Sequence, residues 1–165
     1  MGLIESQFRL VLRRMKFSLS AETCWAAVGI TCCISVALAL APKSDWFLKN
    51  ALFYLVTQML VVLAALIGRP RPSAIGGVAV AASLYLAAFG MWAKAAKDSM
   101  AWLGYVFSLP GAILGALAIV FWLKSKSQMA PFTTFCISAV AVIFGVSINQ
   151  TAICKTLMYC SIPWK

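Results

Sequence analysis

The residues able to do acid–base or nucleophilic chemistry are few and scattered along this chain. Its 165 residues include no histidine and only four acids, Glu5, Glu22, Asp45 and Asp98. Ser–His and Cys–His relays need the missing imidazole, and the spacing of the carboxyl groups does not suggest a general acid–base pair. Metal-ligand spacing, phosphate-loop and dinucleotide fingerprints are also absent. The sequence therefore predicts no catalytic, metal or cofactor site, and a protein that is not an enzyme.

Six cysteines are the other reactive side chains. Three lie within apolar segments, where thiols usually pack as small apolar groups: Cys32, Cys33 and Cys136. Cys24 is predicted near the inner face of the membrane, which is normally reducing. Cys154 and Cys160 follow the last apolar segment, and an oxidising compartment would allow a disulfide between them that closes a small loop. A redox enzyme generally carries a closely spaced Cys-x-x-Cys motif, which this chain lacks. We therefore predict a structural disulfide between Cys154 and Cys160.

The polar residues inside the apolar segments are uncharged, and they include Gln58, Ser83 and Ser108. Ion-coupled transporters typically place acids, His or Lys near the membrane midplane. The sequence has no charged residue well inside an apolar segment. We interpret Gln58 and the serines as groups that hydrogen-bond between helices, and a polar pocket is the alternative.

The composition requires lipid as a solvent. Hydrophobic residues make up 63% of the chain and charged residues only 11%, whereas a soluble domain is about 45–50% apolar. The net charge of +10 comes from short basic clusters between the apolar segments. Such clusters suit membrane topology and anionic headgroups, and none is long enough to form a nucleic-acid groove.

Five apolar segments are each about as long as a bilayer core requires. They cover residues 22–41, 51–68, 74–93, 101–123 and 131–150. The predicted fold is an all-α integral membrane bundle of about five transmembrane helices with short loops. It forms a single polytopic domain, with residues 151–165 as a tail.

An amphipathic helix is predicted before the first span, over residues 2–19. Its apolar residues share one helical face, as expected for a helix that lies on the membrane surface. Basic residues placed to bind anionic headgroups are Arg9, Arg13, Arg14 and Lys16. A solvated basic tail that only sets orientation is the alternative. Ser20 is predicted to cap the start of span one.

The loop charges predict the topology. With the N-terminus inside, eight basic residues, including all five arginines, lie on the inner side and six lie outside. Under the positive-inside rule this modest bias favours a cytoplasmic N-terminus and a periplasmic C-terminus.

Small residues recur every four positions in spans three and four, which lets helix backbones approach closely. The candidates for helix packing or partner binding are Gly77, Ala81, Ser83, Gly104, Ser108, Gly111 and Gly115, with Gln58 from span two. Packing within the chain is the favoured interpretation, and homodimerisation is the alternative.

This architecture resembles that of many small bacterial inner-membrane proteins, among them immunity proteins against pore-forming toxins and accessory subunits of larger complexes. The resemblance rests on overall plan, and no motif carries it. Our first hypothesis is a non-enzymatic immunity protein that binds a membrane-inserting toxin by helix–helix contact. The alternatives are an accessory or assembly subunit of a membrane complex, and a channel or transporter for small solutes.

Overall fold

Five α-helices make up the part of the chain that the structure describes. The computed structural model describes the backbone of residues 2–43, 45–96, 101–126 and 129–156, and the side chains of 21–43, 45–95, 102–126 and 129–155. The helices are α1 (Gly2–Leu40), α2 (Phe47–Ile67), α3 (Pro72–Ala96), α4 (Ala101–Lys124) and α5 (Pro131–Thr156). Each contains a segment long and apolar enough to cross a membrane. The predicted helical membrane bundle is confirmed.

The first helix is longer than its apolar segment. It runs without a break from Gly2 to Leu40, because the sequence after Gly2 contains neither Pro nor Gly until Gly29. The helix passes through Ser20, so the prediction that Ser20 caps a separate span is wrong. The amphipathic segment 2–19 is helical and continuous with the first span, and its position on the membrane surface stays a prediction.

The last helix extends beyond the predicted end of its span. It continues to Thr156, so the first six residues of the predicted tail are helical. Residues 151–156 contain no Pro or Gly, and the Thr151 hydroxyl donates a hydrogen bond to the Ser147 carbonyl at 2.8 Å. A polar side chain can thus be accommodated in the helix by a hydrogen bond to the backbone carbonyl of the preceding turn.

α3 is the central helix of the bundle. It contacts each of the other four helices, with α1 along one side and α5 along another, and α4 packs mainly on α5 and α2. α3 is also the most buried of the five candidate spans. We call the end of the bundle where α2 finishes and α3 and α5 begin the Arg71 end, and the opposite end the Trp102 end.

A tight reversal joins α2 to α3 at the Arg71 end. The Arg69 amide donates to the Leu66 carbonyl at 2.9 Å, and Arg69 takes a left-handed φ of 51°. Pro70 follows, and a proline disfavours the right-handed helical conformation for the residue before it. The chain therefore turns within four residues, which places the first turn of α3 against α1.

Aromatic rings fill the Trp102 end. Tyr54 and Trp102 lie with ring centroids 4.9 Å apart, and Tyr85 stacks on Tyr105 at 5.6 Å. Phe89 packs among them. Towards the Arg71 end the core consists of smaller residues such as Val61, Val78 and Ala116. Helices in this half approach more closely than helices separated by rings can.

Candidate functional sites

A hydrogen-bond network ties α1, α2 and α3 together in the middle of the bundle. The fully buried Gln58 accepts from the Ser83 hydroxyl at 2.8 Å and donates to the Cys33 carbonyl at 3.4 Å. The Ser83 oxygen also lies 2.8 Å from the Ala79 carbonyl. Lipid offers no alternative hydrogen-bond partners, so these contacts favour one arrangement of the three helices.

A second polar contact joins α2 to α4. The Thr57 hydroxyl lies 3.3 Å from the Tyr105 hydroxyl and donates to the Tyr54 carbonyl at 2.9 Å. Ser108 is fully buried and donates to the Tyr105 carbonyl at 2.6 Å. Gln58 and Ser108 therefore have partners within the bundle.

The small residues singled out in the sequence lie where helices of this chain meet. Gly77 faces the Phe135 carbonyl and the Ser138 side chain on α5. A Cβ atom on Gly115 would lie 2.7 Å from the Ala141 carbonyl oxygen. Gly111 packs on Gly145, and Ala81, Ser83 and Gly104 are buried. These positions contact the bundle's own helices, as the favoured interpretation of packing within the chain predicts.

One close crossing was missed from the sequence. A Cβ atom on Gly29 would lie 2.6 Å from the Gly76 Cα, where α1 crosses α3. Gly76 and Gly77 are adjacent and point to different sides of a helix, so the pair lets α3 approach α1 and α5 at the same depth. The adjacent glycines Gly76 and Gly77 were the feature of the sequence that could have indicated this crossing.

A buried carboxylate lies at the Arg71 end. Glu22 is 7% exposed, and its Oε2 accepts a hydrogen bond from the Ser73 backbone amide at 2.9 Å. Its Oε1 lies 4.0 Å from Arg71 Nη1, and that nitrogen donates to the Met129 carbonyl at 2.9 Å. Glu22 is the first residue of the predicted span one, and the helix α1 continues through it. The structure shows that it binds the first turn of α3.

Three buried hydroxyl groups lack hydrogen-bond partners in the described structure: those of Ser73, Thr134 and Ser138. Several other hydroxyls in the described helices donate to a carbonyl three or four residues earlier, as in Ser108 and Thr151. The unpartnered groups cluster where the beginnings of α3 and α5 meet.

A groove of about 480 Å³ lies between α3 and α5, towards the Trp102 end. Its lining comprises Leu84, Tyr85, Ala88, Ile143, Val146, Ser147, Gln150 and Thr151. Leu84 is 54% exposed, so the groove opens onto the lipid-facing surface. The contacts of Gln150 with described residues are long, at 3.4 Å to the Tyr85 hydroxyl and 3.9 Å to the Cys154 sulfur. We call this feature the α3–α5 groove.

Two predicted features lie outside the described residues. The side chains of Arg9, Arg13, Arg14 and Lys16 are not described, so headgroup binding stays a prediction. Cys154 is half-buried near the end of α5, but Cys160 is outside the described residues, and their disulfide also stays a prediction. Among the described residues, Cys24, Cys32, Cys33 and Cys136 are free thiols, and no group of three or more His, Cys, Asp or Glu could hold a metal ion.

Together these features define a polytopic helical membrane protein whose described part has a hydrogen-bonded interior and a partly polar groove on its lipid-facing surface. Comparison with protein families, curated proteins and solved structures finds no match.

Proposed function

We propose that this chain is a non-enzymatic binding protein of a bacterial inner membrane, and that it confers immunity by binding a membrane-inserting or pore-forming toxin through helix–helix contact. The observation that carries the proposal is the α3–α5 groove. The small residues at the helix crossings are occupied by contacts within the chain, whereas the groove presents a concave surface to lipid.

The groove offers the two interactions that associate helices in a bilayer, which are close packing and interhelical hydrogen bonds. Leu84, Ala88 and Ile143 supply an apolar wall. Gln150 supplies a carboxamide whose contacts of 3.4 and 3.9 Å leave hydrogen-bonding capacity for a partner. A partner helix that brings a polar side chain to this depth would satisfy that capacity.

The proposed orientation is consistent with this role. The basic residues at the Arg71 end favour a cytoplasmic location for that end. The groove then lies towards the periplasmic side, where a toxin that inserts from outside arrives first.

Site-specific photo-crosslinking combined with a protection assay tests the proposal. A photoreactive residue is placed at Leu84 in the groove or, as a control, at Leu63 on α2, which is 57% exposed and does not line the groove. Cells that express the chain are challenged with a panel of membrane-inserting and pore-forming toxins, which includes any toxin found to be encoded beside this gene. We expect survival, crosslinking from Leu84 only, and loss of survival with Leu84→Trp but not with Leu63→Trp. No protection by a correctly inserted chain would defeat the immunity proposal.

The two alternatives give different results. An accessory subunit would use the same groove constitutively, so deletion of the gene would disrupt a membrane complex in cells never exposed to toxin. A solute channel would need a path lined by Gln58, Ser108 or Asn149. These side chains bond to backbone or side-chain groups of the bundle, which favours the binding proposal. Flux in reconstituted vesicles would support the channel.

A further inference from the structure

The polarity of the lining changes in a fixed order along the α3–α5 groove. Leu84 and Ile143 line it nearer the middle of the bundle, and Gln150 and Thr151 line it nearer the Trp102 end. A second, shallower depression of about 400 Å³ adjoins the groove on the surface of α5, shares Thr151 with it and reaches Lys155. The lining therefore passes from apolar to uncharged polar to cationic. From Ile143 to Lys155 this change takes about 18 Å of helix, which is close to the depth of one bilayer leaflet with its headgroups.

The polar part of this surface offers hydrogen-bond donors. The hydroxyls of Ser147 and Thr151 donate to carbonyls of their own helix at 2.8 Å, so their protons are already in use. The described acceptor for the Gln150 amide nitrogen is the Cys154 sulfur, 3.9 Å away. The exposed ammonium of Lys155 has three donors and no acceptor. An occupant that is rich in acceptors would therefore suit both nitrogen groups.

Positive charge is concentrated where the groove ends. Lys94 lies in the last turn of α3 and Lys155 in the last turn of α5, and both side chains are exposed. Of the acids whose side chains are described, Asp45 lies at this end. It precedes α2, and the described part of α2 does not pack on α5. Basic residues beside a crevice between membrane helices favour anionic lipid headgroups.

We infer that the α3–α5 groove binds an anionic diacyl phospholipid, such as phosphatidylglycerol, from the leaflet at the Trp102 end. An acyl chain lies along Leu84 and Ile143, an ester carbonyl accepts from Gln150, and the phosphate lies at Lys155. The order of these groups in the lipid is the order of polarity in the lining. A zwitterionic headgroup would bring a second cation towards the lysines, so it binds less well.

This lipid site does not depend on the immunity proposal, because lipid surrounds the groove whether or not a toxin is present. The two are connected at one point. A partner helix that enters the groove would have to displace the lipid from Gln150 and from the apolar wall.

Site-specific photo-crosslinking in lipid nanodiscs tests the inference. The full chain is placed in nanodiscs that contain equal amounts of phosphatidylglycerol and phosphatidylcholine with identical acyl chains, and a photoreactive residue replaces Leu84. Mass spectrometry of the intact chain identifies the crosslinked lipid. We expect phosphatidylglycerol to exceed phosphatidylcholine by about fivefold or more, which is the preference that one lysine near an anionic headgroup provides.

Val56 on α2 is the matched control position. It is 54% exposed, as Leu84 is, and it does not line the groove. Lys49 lies two turns nearer the Trp102 end on the same face of α2, so Val56 also has a lysine in its leaflet. Crosslinking from Val56 should show a preference of less than about twofold, because a lysine without a groove holds no lipid in place.

Two lysine variants, each combined with the photoreactive residue at Leu84, separate the site from general attraction to a basic protein. Lys155→Gln should reduce the preference for phosphatidylglycerol to about twofold or less. Lys49→Gln removes the same charge at the same end of the bundle and should leave the preference unchanged.

An equal preference at Leu84 and Val56 would overturn the inference, because any surface lysine would then be sufficient. An unchanged preference in Lys155→Gln, or an equal loss in Lys49→Gln, would also overturn it. Absence of crosslinked lipid at Leu84 would show that lipid does not enter the groove. Since no toxin is present, these outcomes are distinct from those of the protection assay.

Discussion

A close backbone contact between α4 and α5 gives a sharp test of the packing. A Cβ atom on Gly145 would lie 2.5 Å from the Gly111 carbonyl oxygen and 3.0 Å from the Gly115 Cα. Ordinary contacts between such atoms are about 3.5–4.0 Å. Both obstructing atoms belong to the backbone of α4. Gly145→Ala therefore requires the two helices to separate by roughly 1 Å.

The expected cost follows from that separation. Overpacking of a rigid interior costs about 1–3 kcal/mol, and we expect the upper part of this range because no side chain can move aside. The bond from Asn149 Nδ2 to the Phe107 carbonyl, now 2.8 Å, would also lengthen. Gly90→Ala is the matched control. Its Cβ would meet only the flexible end of Leu40 at 3.1 Å, so its cost should stay below about 1 kcal/mol.

Reversible unfolding in mixed detergent micelles, followed by circular dichroism, measures both variants under the same conditions. We expect Gly145→Ala to unfold at a distinctly lower denaturing-detergent fraction than Gly90→Ala. Equal stability of the two variants within about 0.5 kcal/mol would refute the reasoning, because it would mean that α4 and α5 do not approach as described.

Three further predictions concern buried polar groups. Ser83→Ala should cost about 1–3 kcal/mol in the same unfolding assay because it leaves the Gln58 oxygen without its donor, and adding Gln58→Met should recover part of that loss; a double variant less stable than Ser83→Ala would contradict this. Thr134→Val should leave the unfolding free energy unchanged or raise it by up to about 1 kcal/mol, because it removes a hydroxyl without a described partner; a clear loss would show that the hydroxyl is bonded. Cys154 and Cys160 should resist alkylation until a reductant is added, as judged by mass spectrometry of the intact chain, and ready alkylation without reductant would exclude the disulfide.

The number and placement of the spans could be predicted from the sequence because lipid imposes a simple requirement. Each span needs about 20 apolar residues, and prolines or charges separate the segments. The helix ends were less predictable. α2 begins at Phe47 rather than at residue 51, and α5 continues six residues past Gln150, because polar residues near an interface can remain helical at little cost.

The candidate sites were only partly predictable. Spacing showed that Gly111 and Gly115 share a face, but not that α5 covers it. Glu22 begins the predicted first span, but α1 continues through it, and its partner Ser73 is 51 residues away. That contact depends on how α1 crosses α3. The α3–α5 groove arises from the relative positions of two helices, and no single segment contains a signal for it.

The central position of α3 has a consequence for how the chain is made. α3 enters the membrane third, and its candidate span has the lowest mean hydropathy of the five, 1.8. Until it arrives, the Gln58 side-chain oxygen lacks its Ser83 donor and the backbone at Gly29 lacks its contact with Gly76. The first two helices therefore complete their assembly only after synthesis of the third, and a chain that stops after α2 would leave both groups without these contacts.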